Sequence, residues 1–407
     1  MFFFSLQRVV APKELARWLP RRKRRTSLSR FNTVRNSTFR AITKSLLALG
    51  LVAAVALPTA SQAMVQPAQY WLNGGVIRLM GADRYETAVR VSEFEFGGQG
   101  FADKIVIASG ENFPDALVAA PLAAKLHAPL LLTRRDALPE ITRRNLKWVF
   151  NGKKDTEPDV FVIGGENVIS QSVIDAIKAQ NANINVTRIQ GKNRSETSTN
   201  VANQMGWPAV QRVAIVNGTK FADAVIASAP ASDKAVDPNL IPILLNISAQ
   251  SLDPIIKSAL EDGFKNGLTT IDIFGGAQVL NPLLEQEIRD LATSHGVAAT
   301  INRFGGLTRY DTSAEVAEAF FRNGVTKSFG IASGESFADA LVGGRDTGEA
   351  SQSNQGQVLL LVKKDQIPSA VTNFLETFKD RLNSGVVYGG YAAVSESVKE
   401  TAEDYID

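Results

Sequence analysis

One stretch of sequence occurs three times in this chain of 407 residues, at residues 105–117, 213–225 and 329–341. Each copy begins with an apolar run, passes through a glycine and ends in a Phe-x-Asp-Ala step. The aspartates of that step are separated by 108 and 116 residues, whereas solenoid units recur at about 20–50 residues. A repeat of that length has the size of a small domain. The sequence therefore predicts one domain fold that is repeated three times.

Within each copy, four short apolar runs alternate with segments of helical periodicity. The predicted strands are 76–79, 105–108, 129–133 and 160–163, then 186–189, 213–216, 243–245 and 271–274, then 301–304, 329–332, 358–362 and 386–388. This alternation predicts an α/β fold of small parallel sheets with helices on both faces. Right-handed crossovers would bring the carboxyl ends of the strands to one edge, where open sheets of this kind bind ligands.

The Phe-x-Asp-Ala step is expected to open an apolar helix in each copy. The aspartate falls in the first helical turn, where its carboxylate meets unpaired N–H groups. In the first copy this helix is predicted to run to about Leu126. In the third copy residues 343–357 are rich in Gly and Ser, which predicts a mobile loop. Because the linkers between copies are short, we expect the three modules to pack on one another.

The first 63 residues have the composition of an export signal. They contain twelve of the basic residues but one acidic residue, followed by the apolar run 46–57 and by Ser61-Gln62-Ala63. This pattern predicts a signal peptide over 1–63, with cleavage after Ala63, and the alternatives are an uncleaved anchor or a basic nucleic-acid-binding arm. Without it the chain has 32 basic and 40 acidic residues, a net charge of −8. No second apolar stretch is long enough to span a bilayer, so the mature chain is expected to be soluble and outside the membrane, and no nucleic-acid partner is expected.

Few residues suggest catalysis or metal binding. There is no cysteine, so disulfides and thiolate zinc sites are excluded and the modules depend on their cores. The two histidines, His127 and His295, occupy unrelated positions in their repeats. No nucleophile–base pair recurs, and the Gly-Gly pairs that end the fourth strands are weak phosphate signatures. The sequence therefore predicts no catalytic residue, no metal site and no cofactor.

Two arginines recur in each repeat. The first lies on the first strand, and the second lies at the start of the helix that follows. An arginine at a helix N-terminus opposes the helix dipole, so another interaction is expected to hold the second one there. It could form a salt bridge that fixes the turn, or a clamp for phosphate or carboxylate together with helix N–H groups.

The repeated aspartate and the Ser/Asn-Gly turn lie at the same predicted edge. The carboxylate could be a general base, but helix capping with an arginine partner is the favoured interpretation, because no nucleophile recurs beside it. The candidate ligand-binding residues are Arg78, Arg84, Ser109, Asp115, Arg188, Arg194, Asn217, Asp223, Arg303, Arg309, Ser333 and Asp339.

Taken together and in order, these motifs resemble the cell wall-binding repeat 2 family of Gram-positive surface-layer and wall-attached proteins. The resemblance rests on residues 84–88, 109–117, 128–132 and 163–165 and on their counterparts in the other copies. It covers almost all of residues 73–407, with modules at 73–182, 183–297 and 298–407. It implies Rossmann- or Toprim-like modules, a pseudo-threefold arrangement and non-covalent attachment to an anionic wall polymer.

Two departures from the family pattern indicate that the modules do not bind equally. The second copy has Ser195 in place of the aromatic residue, and Asn217, Thr219 and Lys220 in its turn. The third copy carries the Gly/Ser-rich stretch. An acidic chain must also meet a polyanion through a local basic patch or through bridging divalent cations.

The main functional hypothesis is a secreted, non-catalytic protein at the cell wall of a Gram-positive bacterium. Its expected partners are an anionic, teichoic acid-like polymer or peptidoglycan, and a wall hydrolase that it could assist. The alternative is an enzyme that acts on a wall glycan or sugar phosphate at the strand edge, since sheets of this type host many enzymes. A purely structural assembly subunit is a third interpretation.

Overall fold

The computed structural model describes residues 74–97, 100, 102–151, 157–321, 327–349 and 357–406. The predicted signal peptide over 1–63 lies outside these residues. Among the described residues, no helix combines the length and the apolar character that crossing a membrane requires.

Three four-stranded parallel sheets form the framework. The strands are β1 (Val76–Leu79), β2 (Lys104–Ser109), β3 (Leu130–Thr133), β4 (Asp159–Ile163), β5 (Asn185–Ile189), β6 (Arg212–Asn217), β7 (Ile243–Asn246), β8 (Thr270–Phe274), β9 (Thr300–Phe304), β10 (Ser328–Ser333), β11 (Gln357–Val362) and β12 (Ser384–Tyr388). All twelve predicted strands are confirmed, with ends shifted by one or two residues. The α/β class follows from the alternation of apolar runs and helical periodicity.

Helices alternate with these strands. They are α1 (Arg84–Phe96), α2 (Phe113–Ala116), α3 (Ala119–Lys125), α4 (Glu140–Val149), α5 (Gln171–Lys178), α6 (Arg194–Gln204), α7 (Phe221–Ala231), α8 (Pro254–Lys265), α9 (Pro282–Ser294), α10 (Arg309–Phe321), α11 (Phe337–Glu349), α12 (Ser369–Phe378) and α13 (Glu396–Glu403). Side-chain caps start several of them. The Asp83 carboxylate accepts the backbone N–H groups of Tyr85 and Glu86 at the start of α1, each at 3.0 Å.

Each sheet takes its fourth strand from the next repeat. The strand orders are β3-β2-β4-β5, β7-β6-β8-β9 and β1-β12-β10-β11. The first strand of the second repeat, β5, thus pairs with β4 of the first repeat, and β9 pairs with β8 in the same way. The sheets and the sequence repeats do not divide the chain at the same places, and the module boundaries remain a prediction about the repeat unit.

The first and last strands of the described chain close this arrangement into a ring. β1 pairs in parallel with β12, with Val76 opposite Gly385 and Leu79 opposite Tyr388. The third sheet therefore takes its fourth strand, β1, from the first repeat. The first and second sheets take theirs, β5 and β9, from the second and third repeats. Every sheet thus depends on two repeats.

The helices that follow the repeated stretch meet at the centre of the ring. α3, α7 and α11 contact one another in pairs. A single hydrophobic core includes buried side chains from all three repeats, among them Leu122, Ile226 and Leu341, and each sheet has a second core on its outer face. This packing is the pseudo-threefold arrangement that the family resemblance implied.

Two predictions about the central helices were wrong in part. The helix of the first repeat ends at Lys125, close to the predicted Leu126, but it is not continuous. It breaks between α2 and α3, because Pro121 has no N–H to donate to the carbonyl of Leu117. In the third repeat, residues 343–349 continue α11 instead of forming a loop. A Cβ atom on Gly343 would lie 2.6 Å from the Tyr388 ring, and one on Gly344 would lie 1.9 Å from Ser228 Oγ. These glycines permit close packing, and the remaining loop positions 350–356 lie outside the described residues.

Candidate functional site

The repeated aspartate and the second arginine come together between repeats. We call these positions interface sites and number them by the repeat that supplies the aspartate. Site 1 joins Asp115 to Arg194 and Thr197, site 2 joins Asp223 to Arg309, and site 3 joins Asp339 to Arg84 and Thr87. Each site thus lies where the start of one repeat's first helix meets the repeated stretch of another.

The threonine of the same helical turn connects the aspartate to the backbone. The Gly81 N–H donates to Thr87 Oγ1 at 3.2 Å, and the Gly191 N–H donates to Thr197 Oγ1 at 3.0 Å. Thr87 is hydrogen bonded to Asp339, and Thr197 is hydrogen bonded to Asp115. The turn before each helix is therefore positioned against the carboxylate of the neighbouring repeat.

Burial raises the pKa of all three carboxyl groups. Desolvation is the largest cause in each case, and the neighbouring arginine opposes it by stabilising the charged form. The pKa of Asp223 is raised to about 6. Asp223 is 6% exposed, so its carboxylate is nearly closed to solvent. Asp115 and Asp339 are partly exposed, so Asp223 is the carboxylate with the least access to a substrate.

The first glycine of each Gly-Gly pair fits against the same carboxylate. Gly164, Gly275 and Gly389 have φ angles of 119°, 131° and 105°, in the region that favours glycine. A Cβ atom on Gly389 would lie 2.6 Å from Asp339 Oδ2, and the other two would lie 3.2 Å and 3.1 Å from Asp115 and Asp223. The Gly-Gly pairs therefore serve the turn and its contact with aspartate.

The second arginine of each repeat also binds the backbone of its own repeat. Arg84 donates to the carbonyl of Gly110, Arg194 to that of Gly218, and Arg309 to that of Gly334. This contact and the aspartate explain how an arginine is held at a helix N-terminus. Both earlier alternatives, turn fixation and an anion clamp, remain compatible with this position, because Arg84 and Arg194 are partly exposed and Arg309 is exposed.

The first arginine of each repeat is occupied by structural contacts. Arg78 Nη1 donates to the carbonyls of Gly389 and Val394, both at 2.9 Å. Arg188 and Arg303 make the corresponding pairs of bonds, to Gly164 and Ile169 and to Gly275 and Leu280. Each of these arginines fastens the added fourth strand to the Gly-Gly turn of the sheet that it joins.

The Ser/Asn residues of the repeated turn are buried and cap that turn. Ser109 Oγ accepts the N–H groups of Glu111 and Asn112, at 3.1 and 3.0 Å. Asn217 Oδ1 accepts the Thr219 N–H at 2.8 Å, and Ser333 Oγ accepts the Glu335 N–H at 3.1 Å. Their exposures are 1%, 3% and 2%, so a ligand would meet the turn and not these side chains.

Sequence analysis missed an aromatic cluster on the pseudo-threefold axis. The rings of Phe113, Phe221 and Phe337 form a nearly equilateral triangle, with centroid distances of 6.0, 5.8 and 6.4 Å. The Arg84 guanidinium lies 5.6 Å from the Phe337 centroid, and that of Arg309 lies 5.2 Å from the Phe221 centroid. The signal was present in the repeated Phe-x-Asp step, but only the aspartate was considered.

A basic residue at the end of β3 was also missed. The Arg134 guanidinium lies 4.8 Å from the centre of the Tyr85 ring. Tyr85 itself packs on the repeated turn, since a Cβ atom on Gly110 would lie 2.6 Å from Tyr85 Cε1. The second repeat departs here as the sequence indicated, because Ser195 is fully buried and its hydroxyl has no hydrogen-bond partner among the described residues.

The arrangement offers guanidinium groups and backbone turns for binding. Among the described residues there is no cluster of three or more His, Asp or Glu side chains that could hold a metal ion. The His127 ring packs edge-on against the Phe96 ring, with the two centroids 5.6 Å apart. The His295 ring packs against Phe264 at 6.2 Å. The interface sites present guanidinium, hydroxyl and carboxylate groups, which can make electrostatic and hydrogen-bonded contacts.

Comparison with known proteins identifies the repeat. The family model described as cell wall binding domain 2 matches residues 78–174, 188–285 and 303–399. This match confirms the resemblance that the sequence motifs indicated. Two proteins of Bacillus subtilis (strain 168) are 27% identical over 80% of this chain: an amidase enhancer, of which 40% is covered, and the N-acetylmuramoyl-L-alanine amidase LytC, of which 58% is covered. The chain thus spans about half the length of these relatives.

Solved structures show the same fold. Cwp6 from Clostridium difficile aligns with 82% of this chain at a TM-score of 0.67 and 26% identity, and 48% of Cwp6 is covered. Cwp8 from Clostridium difficile aligns with 81% at a TM-score of 0.66 and 25% identity, and 51% of Cwp8 is covered. The fold class predicted from the sequence, three repeated α/β modules, is confirmed.

Proposed function

Since the chain belongs to the cell wall binding domain 2 family, we propose that it attaches non-covalently to an anionic polymer of the cell wall. The polymer is of teichoic acid type, peptidoglycan being the second candidate, and the chain acts at the surface of a Gram-positive bacterium after export and removal of residues 1–63. Family membership and the wall-protein relatives support the surface location.

The observation that carries this proposal is the repetition of Arg84, Arg194 and Arg309 around one axis. Each guanidinium is anchored on a turn carbonyl, which fixes it at low entropic cost and leaves further N–H groups for a ligand. An arginine fork suits phosphate and carboxylate oxygens. Three such groups on one protein suit a polymer, because linked contacts raise the overall affinity.

The whole-chain charge gives no attraction to a polyanion. Residues 64–407 contain 32 basic and 40 acidic residues. Attraction must therefore come from the local field of the turns, which salt screens over about 8–10 Å at moderate ionic strength. This reasoning requires salt-dependent binding, and divalent cations that bridge acidic side chains to the polymer would add a chelator-sensitive part.

The ligand-binding residues of the proposal are those at the exposed ends of the sites. Arg84, Arg194 and Arg309 make the principal contacts. Three sets of residues support this surface from behind. They are the strand arginines Arg78, Arg188 and Arg303, the turn caps Ser109, Asn217 and Ser333, and the interface carboxylates Asp115, Asp223 and Asp339. A substitution of any supporting residue would weaken binding indirectly, because it would disturb the structure that positions the three arginines.

We also propose that the chain is non-catalytic and assists a wall hydrolase. Asp115 and Asp339 are each paired with a threonine and an arginine, an arrangement that suits a structural carboxylate better than a general base. The similarity to an amidase enhancer and to an amidase supports the hydrolase as a partner. Release of muropeptides by the purified protein alone would favour the alternative, an enzyme acting on a wall glycan. Faster wall digestion by an amidase in its presence would support the assisting role.

The test of the binding function is co-sedimentation of the protein with purified cell walls, before and after removal of the anionic polymer. We expect binding to disappear with the polymer and to fall as salt rises. The variant Arg84→Ala/Arg194→Ala/Arg309→Ala should bind at least about tenfold more weakly, since each lost charged hydrogen bond contributes about 1 kcal/mol or more.

A matched control removes the same charge elsewhere. Arg90, Arg143 and Arg289 form helix-surface ion pairs, with Arg90 Nη2 2.8 Å from Glu86 and Arg289 Nη2 2.7 Å from Glu285. Their triple alanine variant should retain binding. If the first variant is folded and binds like the unmodified protein, the arginine clamp is wrong. If both variants lose binding equally, only net charge matters.

A further inference from the structure

Three turns meet at the carboxyl end of each sheet, and we call each group an edge. The Gly110 N–H donates to the Thr133 carbonyl at 2.9 Å, the Gly218 N–H to the Asn246 carbonyl at 2.9 Å, and the Gly334 N–H to the Val362 carbonyl at 2.8 Å. The third turn is the one that precedes the first helix of the repeat. The second arginine of the repeat joins it to the others by donating to the carbonyl of the same glycine. The residues are 81–84, 110–112 and 134–136 in edge one, 191–194, 218–220 and 247–249 in edge two, and 306–309, 334–336 and 363–365 in edge three.

The cations of edge one are balanced by acids. Arg134 lies 4.0 Å from Asp83 and 3.8 Å from Glu111. Arg135 lies 2.9 Å from Asp136. Glu111 also accepts the backbone N–H of Arg135 at 2.9 Å, which holds the acid over the turn. A polyanion that approached edge one would have to displace these pairs or meet their carboxylates.

Edge two has the opposite balance. The positions of Asp83, Glu111 and Asp136 are taken by Asn193, Thr219 and Ala249, so three acids are replaced by neutral residues. Two neutral positions, Ala82 and Asn112 in edge one, become Lys192 and Lys220. The basic pair at the end of the third strand is absent, because Ile247 and Ser248 stand there. The charged residues within the three turns of edge two are Lys192, Arg194 and Lys220, all positive. Glu196 on α6 accepts the Lys192 N–H at 2.6 Å, as Glu86 accepts the Ala82 N–H at 2.9 Å in edge one, so this acid is common to both edges.

These three cations lie close together. Arg194 donates to the carbonyl of Gly218, and Lys192 and Lys220 each lie two residues from one partner of that bond. A span of two residues covers at most about 7 Å, so both ammonium groups can reach the same ligand as the guanidinium. Lys192 and Lys220 are exposed. Asn193 and Asn217 hold the two turns by capping backbone N–H groups.

Edge three is intermediate between the two. Lys363 and Lys364 are exposed at the end of β11, and Arg309 lies at the helix start. Two acids accompany them, Asp365 in the same turn and Glu335 in the turn after β10. Edge three therefore has cations and acids in similar positions to edge one, and edge two alone has no acid among the residues of its three turns.

We propose that edge two is the principal contact for a phosphate-containing polyanion and that the three edges have unequal roles. This inference rests on the proposed wall-binding function and identifies the place and the chemistry of the contact. Two ammonium groups beside an anchored guanidinium provide point charges and a fork for phosphate oxygens. Lys192 and Lys220 depart from the first repeat, as Ser195 does, and they give edge two the largest excess of positive charge among the three edges.

The experiment measures binding to surface-immobilised poly(glycerol phosphate). The variant Lys192→Ala/Lys220→Ala is compared with Lys363→Ala/Lys364→Ala, which removes the same two charges from edge three. All four lysines are exposed, so both variants are expected to fold, and circular dichroism checks this. We expect the edge-two variant to bind at least about fivefold more weakly and the edge-three variant to change by less than about twofold, since exposed charge pairs contribute little unless they cluster. The difference should shrink as salt rises.

The outcomes separate this inference from the proposed function. Equal losses in the two variants, or no loss in either, would overturn the assignment to edge two while leaving polymer binding in place. If the unmodified protein does not bind poly(glycerol phosphate) but still sediments with walls, the phosphate chemistry is wrong and the wall-binding function stands. Binding of polyglutamate with the same preference for edge two would show that carboxylate polymers are accepted and would overturn the phosphate assignment.

Discussion

Replacing Asp223 by asparagine tests the cost of burying a carboxylate at an interface site. Burial raises the pKa of Asp223 from 3.8 to about 6, although the charge of Arg309 works in the other direction. The folded state therefore binds this proton more strongly than the unfolded state. Stability from this group is greatest below pH 3.8, falls as the pH rises towards 6, and is constant above that. Asparagine is nearly isosteric and carries no charge, so it removes this dependence.

The expected change in stability follows from the size of the pKa shift of Asp223. A difference of about two pKa units corresponds to about 3 kcal/mol at 1.36 kcal/mol per unit. Between pH 4 and pH 7 the Asp223→Asn variant should therefore gain about 2.5 kcal/mol in free energy of unfolding relative to the unmodified protein. The gain is largest at neutral pH, where the buried group is ionised in the unmodified protein.

The assay is urea unfolding followed by circular dichroism at pH 4, 5, 6 and 7. The control is Asp262→Asn on α8, where the side chain is 60% exposed. The control should show a much smaller change with pH. A stability difference between Asp223→Asn and the unmodified protein that is the same at all four pH values would refute the reasoning. So would a variant that is relatively less stable at pH 7 than at pH 4, because the arginine would then dominate over burial.

Three further outcomes are expected. Arg78→Ala should lower the free energy of unfolding by about 2 kcal/mol, because two carbonyls lose their donor, and urea unfolding measures this. Gly389→Ala should lower the free energy of unfolding more than Gly206→Ala does. Gly206 has nearly the same φ, 106°, but no atom lies within 4 Å of the added Cβ. Equal losses of stability in the two variants would mean that the contact of Gly389 with Asp339 is unimportant. Deleting residues 1–80 should leave β12 as an open edge and produce association in size-exclusion chromatography, whereas a stable monomer would contradict the role of β1.

Much of this protein could be predicted from the sequence because its signals are local and occur three times. The apolar runs located all twelve strands, since a buried parallel strand is a short apolar segment in any surroundings. The repeated Phe-x-Asp step located the helix starts, and the motif order indicated the family. Three copies also supply an internal comparison, which is how Lys220 was recognised as a departure.

Errors arose where a local signal has two structural meanings. Glycines 343 and 344 indicated a loop, but glycine also permits close packing, and the neighbours Tyr388 and Ser228 decide between the two. The strand arginines and the helix arginines looked equally suited to a ligand. The strand arginines are distinguished by hydrogen bonds to carbonyls that are distant in sequence, such as the bond from Arg78 to Gly389. These bonds give them a structural role, whereas the helix arginines stay partly exposed.

The sequence by itself determined the strands, the helices and the family of this protein, because hydrophobic period and turn chemistry act over a few residues. The tertiary structure decided which sheet each first strand joins, and so which repeat supplies the aspartate beside each arginine. β1, β5 and β9 have similar patterns and short linkers, so the local sequence is compatible with pairing inside one repeat or with the next. Only the packing of α3, α7 and α11 around one axis distinguishes the two, and that packing depends on contacts between residues more than a hundred positions apart.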